Sequence, residues 1–202
     1  MSSLPVEQLD RRMTAVERRE AILDAASAVF GERGYFGATT DQVARAAGIS
    51  QPYVVRMFGS KEALFLAVIE RAKASLLQSF RAALADWQAQ GATDGDPCEA
   101  LGPAYLEMLR ERGVHTSLMQ AFMQGSDPAI GRAARDGFLE IWGFLRDEAG
   151  ISPEAARGFL ADGMLINVLA GLEMPRAATS SAAAAELLAA TLGDKAALLP
   201  GA

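Results

Sequence analysis

The chain has 202 residues, enough for one small and one larger domain, and half of them are apolar. No apolar run approaches the length of a membrane span, and the N-terminus (MSSLPVEQLDRR) lacks the apolar segment of a signal peptide. A single cysteine, Cys98, excludes an internal disulfide and fits a reducing compartment. These features predict a cytoplasmic protein with no membrane partner.

The formal net charge of −6 is unevenly distributed. Residues 1–62 hold eight Lys/Arg and eight Asp/Glu, whereas residues 63–202 hold eleven against seventeen. Four arginines and one glutamate lie in residues 11–19, and three basic residues and one acidic residue lie in residues 39–61. Positive charge is thus concentrated near the N-terminus, while the acidic remainder discourages indiscriminate contact with polyanions.

Helix signals begin at the N-terminus, and no segment favours a strand. Thr14 and Glu17 have the spacing of a capping box that opens a first helix, which Gly34 closes. Ser60 caps a fourth helix that keeps helical apolar spacing for about seven turns and links the two halves of the chain. Residues 91–97 (GATDGDP) are expected to form a loop.

Further helices are predicted in the second half of the chain. Three of them begin with a capping residue followed by proline: Asp96-Pro97, Asp127-Pro128 and Ser152-Pro153. These three end at Gly113, at Gly150 and before Pro175, and two more cover His115–Met123 and Ser181–Leu192. The pattern predicts an all-α fold of about nine helices.

Residues 39–61 (TTDQVARAAGISQPYVVRMFGSK) carry two short helical patterns separated by a turn at Gly48. Thr39 opens the first with a capping box, and the second begins after Ser50 with Pro52 in its first turn. Two helices joined by a tight turn, the second with a polar leading edge, form the helix-turn-helix that aims its second helix at a major groove. We therefore predict that residues 39–61 bind double-stranded DNA.

The flanking segments RREAILDAASAVFGERGYFGATT and FGSKEALFLAV make this motif more specific. With them, residues 18–68 resemble the N-terminal domain of the TetR family of bacterial transcriptional repressors. The rest of the chain resembles the family in length, helical pattern and position. The resemblance implies a three-helix DNA-binding domain over residues 1–60, with residues 1–13 as a flexible arm, and an effector-binding and dimerisation domain over residues 61–202.

In the family's pattern, the first turn of the second helix of the motif contacts the bases. Gln51 is suited to an adenine edge, and Pro52 and Tyr53 to a thymine methyl, although a surface glutamine is often only solvated. Thr40, Arg56 and Lys61 are expected to bind phosphates. The predicted DNA-binding residues are Thr40, Ser50, Gln51, Pro52, Tyr53, Arg56 and Lys61.

The chain departs from the family at two positions of this helix. Val55 and Met57 stand where many members have a tyrosine, and a tyrosine or histidine, that reach the DNA backbone. Tyr53 and Arg56 are expected to compensate. For Arg45, on the back of the preceding helix, a phosphate contact and a solvated charge are equally open.

The C-terminal part is rich in methionine and aromatic side chains, which suit a pocket for a sizeable apolar molecule. Filling of a bundle core is the alternative, and for any single residue it is favoured. Asn167 is either a polar anchor for the ligand or a satisfied core amide, and His115 is expected at a cap or on the surface. The candidate effector-binding residues are Trp87, Tyr105, Met108, Met119, Phe122, Phe138, Trp142, Met164 and Asn167.

The helix that starts at Pro153 is apolar nearly all round, which implies burial on two sides. The resemblance implies that it pairs with the last helix and their symmetry mates in a four-helix interface. A two-fold homodimer is also what a palindromic operator requires. The predicted interface residues are Phe159, Gly163, Ala170, Leu187 and Leu188.

Catalysis is not expected. One histidine and one cysteine exclude a His-rich or Cys-rich metal site, there is no Gly-rich phosphate loop, and no cofactor is predicted. The expected function is a ligand-responsive repressor that binds a palindromic operator as a dimer and is released by a small, mainly apolar molecule. The alternative is a ligand-independent DNA-binding factor with the same fold and a solid core.

Overall fold

The computed structural model describes residues 14–91, 95–110 and 113–193, together with Lys195 and Leu199, and its regular elements are all helical. The described helices are α1 (Ala15–Gly37), α2 (Thr40–Ala46), α3 (Gln51–Phe58), α4 (Lys61–Ala89), α5 (Cys98–Met108), α6 (Val114–Met123), α7 (Ile130–Gly143), α8 (Pro153–Gly171), α9 (Met174–Ala178) and α10 (Ala182–Leu192). A π-helical turn, Phe144–Glu148, continues α7. The all-α prediction is confirmed.

Two predictions lie partly or wholly outside the described residues. They are the flexible arm, residues 1–13, and residues 92–94 of the predicted loop. Within the described ranges, no helix is both long and apolar enough to cross a membrane.

The boundaries of α1 follow the predicted capping chemistry. Thr14 Oγ1 accepts from the Glu17 amide at 3.1 Å, and the Glu17 carboxylate accepts from the Thr14 amide at 2.7 Å. Gly34, with φ 73° and ψ 163°, breaks the regular helix, which resumes as far as Gly37. The α4 helix, capped by the Ser60 hydroxyl, also matches its prediction.

Other helix starts are displaced from the predicted proline positions. Asp96 Oδ1 accepts from the Cys98 amide at 2.9 Å, so α5 begins after Pro97. Asp127 Oδ1 accepts from the Ala129 and Ile130 amides at 2.9 and 2.8 Å, so α7 begins two residues after Pro128. The aspartates cap as expected, but each proline lies just before its helix rather than inside it.

Two further differences concern helix ends. The α5 helix ends at Met108 instead of Gly113, and Gly113 instead begins α6 in the left-handed conformation, with φ 78°. A short helix, α9, was not predicted because Pro175 was interpreted only as a terminator. Proline is equally suited to the first turn of a helix, which is where Pro175 lies.

The molecule has two apolar cores, both crossed by α4. The first surrounds Phe30 and Phe65 of α1 and α4, and it also contains Ala121, Ile130 and Ala134 from α6 and α7. The second joins the other half of α4 to α5, α8 and α10. The helices of the predicted helix-turn-helix therefore complete their core with residues from the C-terminal half.

The closest approach between α1 and α6 is backbone against backbone. A Cβ at Gly31 would lie 2.6 Å from Gly113 Cα, and a Cβ at Gly113 would overlap the Ser27 carbonyl oxygen. The absence of side chains at these two positions lets the helices touch. As a result, the start of α6 is fixed against the middle of α1.

Candidate nucleic-acid interface and interior cavity

The turn between α2 and α3 has the geometry of a helix-turn-helix. Gly48 takes φ 67°, and the Ile49 amide donates to Ala44 O at 3.0 Å to close the turn. Val43 and Val54 are fully buried and anchor the two helices to the first core. The outer side of α3 is consequently turned away from the protein.

Ser50 lies at the predicted N-cap of α3, but its side chain makes no capping bond. Pro52 in the first turn has no amide hydrogen to offer, and the Tyr53 amide donates to the backbone oxygen of Ser50 at 3.0 Å. Both Ser50 and Pro52 are exposed. The Ser50 hydroxyl therefore lies at the exposed leading edge of α3.

Tyr53 packs against two arginines. Its ring centroid is 4.8 Å from the Arg56 guanidinium carbon and 5.6 Å from that of Arg18, and Arg18 Nη1 donates to the Tyr53 hydroxyl at 3.3 Å. Sequence reasoning noted the charge of Arg18 but did not place it at this site, because it lies 35 residues before Tyr53. A second missed arginine, Arg19, lies 5.3 Å from the Phe58 ring centroid.

Gln51 and Thr40 are brought together across the turn. Gln51 Nε2 donates to Thr40 Oγ1 at 3.2 Å, and both side chains are half-buried. This contact orients the amide that is the candidate for reading a base. Arg45 lies elsewhere and forms an exposed ion pair with Asp41 at 2.7 Å, so the structure favours a surface charge at this position.

Lys61 lies at the first position of α4, as predicted. Its ammonium donates to the Tyr35 carbonyl oxygen at 3.0 Å and is 4.7 Å from the Tyr35 ring centroid. Tyr35 follows the break in α1, so the location of the Lys61 charge depends on that break.

A small interior cavity of about 60 Å³ lies between α4, α5, α6, α7 and α8. None of the side chains that line it carries a charge. The lining residues are Leu76, Phe80, Tyr105, Leu118, Phe122, Phe138, Ile141, Phe159, Leu160, Gly163, Met164 and Asn167. Since one water needs at least about 10–15 Å³ by this measure, the cavity has room for a few waters.

The main polar feature of the cavity is a hydrogen-bonded pair. The Tyr105 hydroxyl donates to Asn167 Oδ1 at 2.8 Å and approaches Gly163 O at 3.4 Å. Burial raises the pKa of Tyr105 to about 12, against the opposing effect of the Asn167 hydrogen bond, so the phenol stays neutral. Asn167 Nδ2 donates to the weak acceptor Met164 Sδ at 3.9 Å.

Five of the nine candidate effector residues line this cavity: Tyr105, Phe122, Phe138, Met164 and Asn167. The other four lie outside it. Met108 is buried in the second core, Trp87 and Trp142 pack at the edge of that core, and Met119 lines a separate open cleft.

His115 lines the same open cleft as Met119, between the end of α1, α6 and α8. It was expected at a cap or on the surface but is half-buried. Neither ring nitrogen has a hydrogen-bond partner among the residues that the structure describes, and desolvation lowers the pKa of the imidazole. The side chain is therefore held neutral.

Three of the five predicted interface residues face the interior of their own subunit. Phe159 packs against Phe80 with ring centroids 5.9 Å apart, Leu188 is 5% exposed in the second core, and Gly163 faces the Tyr105 ring. In this subunit the small residue at 163 makes room for Tyr105. The assignment of these three residues to an interface stays a prediction. Ala170 is half-buried, and Leu187 is 40% exposed.

The exposed face of α8 is formed by other residues. Leu165, Val168 and Leu172 are 39%, 45% and 63% exposed and follow one another at helical spacing, in line with the exposed Ala161. We call these four residues of α8 the α8 stripe; Leu187 of α10 is also exposed. Large apolar side chains that remain exposed in a row are typical of an interaction surface.

The segment that contains the helix-turn-helix matches known proteins. Residues 22–68 match the family model described as "Bacterial regulatory proteins, tetR family". The HTH-type transcriptional activator FasR of Mycolicibacterium smegmatis is 44% identical over 73 residues, which cover 36% of this chain and 33% of FasR. The chain thus spans about a third of the length of that curated relative. The predicted family resemblance is confirmed.

Structural similarity extends further along the chain. A member of the TetR family from Streptomyces coelicolor A3 has a TM-score of 0.60 at 23% identity, covering 77% of this chain and 88% of that chain. The multidrug binding protein EbrR, complexed with imidazole, has a TM-score of 0.55 at 24% identity, covering 84% of this chain and 88% of EbrR. The similarity of fold to these structures therefore extends to the C-terminal helices.

Proposed function

We propose that the chain is a ligand-responsive transcriptional repressor, since its residues 22–68 match the model of the tetR family of bacterial regulatory proteins. It binds a palindromic operator as a homodimer and is released by a small, mainly apolar molecule. The observation that carries the proposal is the exposed first turn of α3, beside which Tyr53 gathers Arg18 and Arg56.

The chemistry of this surface supports contact with both bases and phosphates. Gln51 is held by Thr40, and Pro52 offers an exposed apolar edge for a thymine methyl. The guanidiniums of Arg18 and Arg56 supply the charge-assisted donors that phosphates attract. Tyr53 acts mainly by orienting those guanidiniums. The two arginines then replace the contacts with the DNA backbone that Val55 and Met57 cannot make.

Tyr53→Ala and Arg56→Ala are each expected to weaken operator binding by about 1–3 kcal/mol, because one removes the aromatic platform and the other a cation. Affinity is also expected to fall steeply with salt as counterions are released. Fluorescence anisotropy with a palindrome selected from random DNA measures both effects.

The matched control is Arg45→Ala. Like Arg56→Ala it removes an arginine, but this arginine forms an exposed ion pair with Asp41 on the same domain. Its affinity is expected to stay near that of the unmodified protein. Equal losses in all three variants would indicate a general loss of positive charge, and unchanged binding by both Tyr53→Ala and Arg56→Ala would refute the assignment of this surface.

The α8 stripe supports the homodimer. Its large side chains, Leu165, Val168 and Leu172, are exposed, and none of them lines the interior cavity. A single helix-turn-helix reads one half-site, so two copies related by a two-fold axis place their α3 helices in successive major grooves. Each protomer contributes the same stripe, as an isologous interface requires.

The cavity supports a neutral effector with few polar groups. No charged side chain lines it, the Tyr105 phenol is protonated, and Asn167 has an amide donor to offer. At about 60 Å³ it is smaller than the roughly 300–1,000 Å³ of typical ligand sites, so binding requires its walls to separate. Because α4 and α6 form two of the walls and also pack in the first core, such separation alters the DNA-binding domain.

A screen of neutral apolar compounds by thermal shift is expected to identify ligands, since a compound at a hundred times its dissociation constant stabilises the fold by roughly 2.7 kcal/mol. Gly163→Leu places its side chain in the cavity next to Tyr105 and is expected to abolish this shift. Gly158→Leu is the matched control. Gly158 lies on the same helix as Gly163, but a Cβ there has no neighbour within 4 Å.

The same compounds must also release DNA, since a ligand that binds both states equally shifts nothing. If none of the stabilising compounds releases the operator, the ligand-independent factor is the correct function. The relative FasR is named as an activator, so a reporter gene behind the operator tests the direction of regulation. Repression is refuted if deletion of the regulator lowers expression.

A further inference from the structure

The break in α1 at Gly34 is bridged by one side chain from α6. Gln120 Nε2 donates to the Phe30 carbonyl oxygen at 3.0 Å, and Gln120 Oε1 accepts from the Tyr35 amide at 2.8 Å. The amide thus supplies a donor on one side of the break and an acceptor on the other. Both ends of the break are fixed by a residue 85 positions away from Tyr35.

The far side of the same peptide segment holds Lys61. The Tyr35 carbonyl oxygen accepts from the Lys61 ammonium at 3.0 Å, and the Tyr35 ring lies under that ammonium. The ring itself is fixed against Phe65, with centroids 4.8 Å apart. A Lys61 ammonium held in this way keeps further N–H groups that can donate to a phosphate.

Gln120 lies on the helix that closes the cavity. Leu118 and Phe122, two residues before and after it on α6, line the cavity, while Gln120 reaches α1. The start of α6 is also fixed to α1 through Gly113 and Gly31. A displacement of α6 therefore acts directly on the break in α1.

We propose that Gln120 is a positioning residue for DNA binding. Through the Tyr35 peptide it holds the Lys61 ammonium where a DNA phosphate lies, and displacement of α6 by a cavity ligand removes that phosphate contact. This inference rests on the proposed function and names the residue through which the effector site controls the DNA surface.

The test is the salt dependence of operator binding by Gln120→Leu, which removes both hydrogen bonds with little change in volume. Each phosphate contact contributes about 0.9 to the slope of log affinity against log salt, or about eightfold in affinity at 0.1 M relative to 1 M salt. Gln120→Leu is expected to reduce the slope by about one contact, and so is Lys61→Met.

The double variant distinguishes a positioning role from an independent one. If Gln120 acts through Lys61, combining Gln120→Leu with Lys61→Met reduces the slope no further than either change alone. Gln124→Leu is the matched control, because the Gln124 amide donates within α6, to Gln120 O at 3.3 Å, and its slope is expected to match the unmodified protein.

Circular dichroism and thermal melting accompany each variant. If Gln120→Leu does not fold, Gln120→Met carries the same test, since it also removes both the acceptor for Tyr35 and the donor to Phe30 and keeps a side chain of similar length without adding charge. An unchanged slope in the folded variant, or slope losses that add in the double variant, overturns the inference. Failure of the unmodified protein to bind any selected palindrome would instead refute the proposed function.

Discussion

Gly113→Ala is expected to destabilise the fold by about 2–5 kcal/mol. The left-handed backbone at Gly113, with φ 78°, costs an alanine about 1–2 kcal/mol, and the added methyl group overlaps the Ser27 carbonyl oxygen. Overpacking of this kind costs about 1–3 kcal/mol. For a chain of this size, the melting temperature should fall by about 4–20 °C.

Gly150→Ala isolates the backbone contribution. Gly150 has φ 67°, close to that of Gly113, but a Cβ there has no neighbour within 4 Å. Its loss of stability is therefore expected to be only about 1–2 kcal/mol. Differential scanning calorimetry of both variants measures the difference, and equal losses would show that α1 and α6 are not in backbone contact.

Leu165→Glu is expected to convert the dimer to a monomer. The residue is 39% exposed in one protomer, so the change leaves the subunit core intact. In a dimer built on the α8 stripe it would bury an unpaired carboxylate, which costs about 3–5 kcal/mol. The dimer dissociation constant should then rise by more than about a hundredfold.

Leu139→Glu on α7 is the matched control, because Leu139 is 63% exposed outside the α8 stripe. Light scattering is expected to report a monomer for Leu165→Glu and a dimer for Leu139→Glu, with similar melting temperatures. Affinity for a palindromic operator should fall only in the first variant. If Leu165→Glu remains a dimer, the interface lies elsewhere on the surface.

The helix-turn-helix could be predicted from the sequence because its signals are local. Thr39, Gly48 and Pro52 each act within a few residues of their own position, and the structure has the expected cap, turn and helix start. The contact of Tyr53 with Arg18 could not be predicted in the same way. It joins residues 35 positions apart, and neither residue type specifies the other.

The exposed face of α8 was harder to predict from the sequence. Because the helix is apolar nearly all round, periodicity does not separate its inner side from its outer side. Gly163 was interpreted as a site of close helix approach, whereas in the structure it faces Tyr105. Only the placement of neighbouring helices distinguishes the inner Gly163 from the outer Leu165.

The cavity illustrates a related ambiguity. Phe122 lines the cavity and Met108 fills the core, although both were candidates on the same chemical grounds. Whether an apolar side chain borders empty space depends on how completely its neighbours fill the volume around it. That property belongs to the assembled helices and not to any segment of the sequence.

The composition of the first core restricts how the N-terminal helices can be recombined with another C-terminal half. Ala121, Ile130 and Ala134 come from the C-terminal half but pack with Phe30 and Phe65. A chimera joined at residue 60 would place α1, α2 and α3 against a foreign surface in which these three positions are not matched. A C-terminal half transplanted onto these helices must therefore bring compatible parts of α6 and α7 with it.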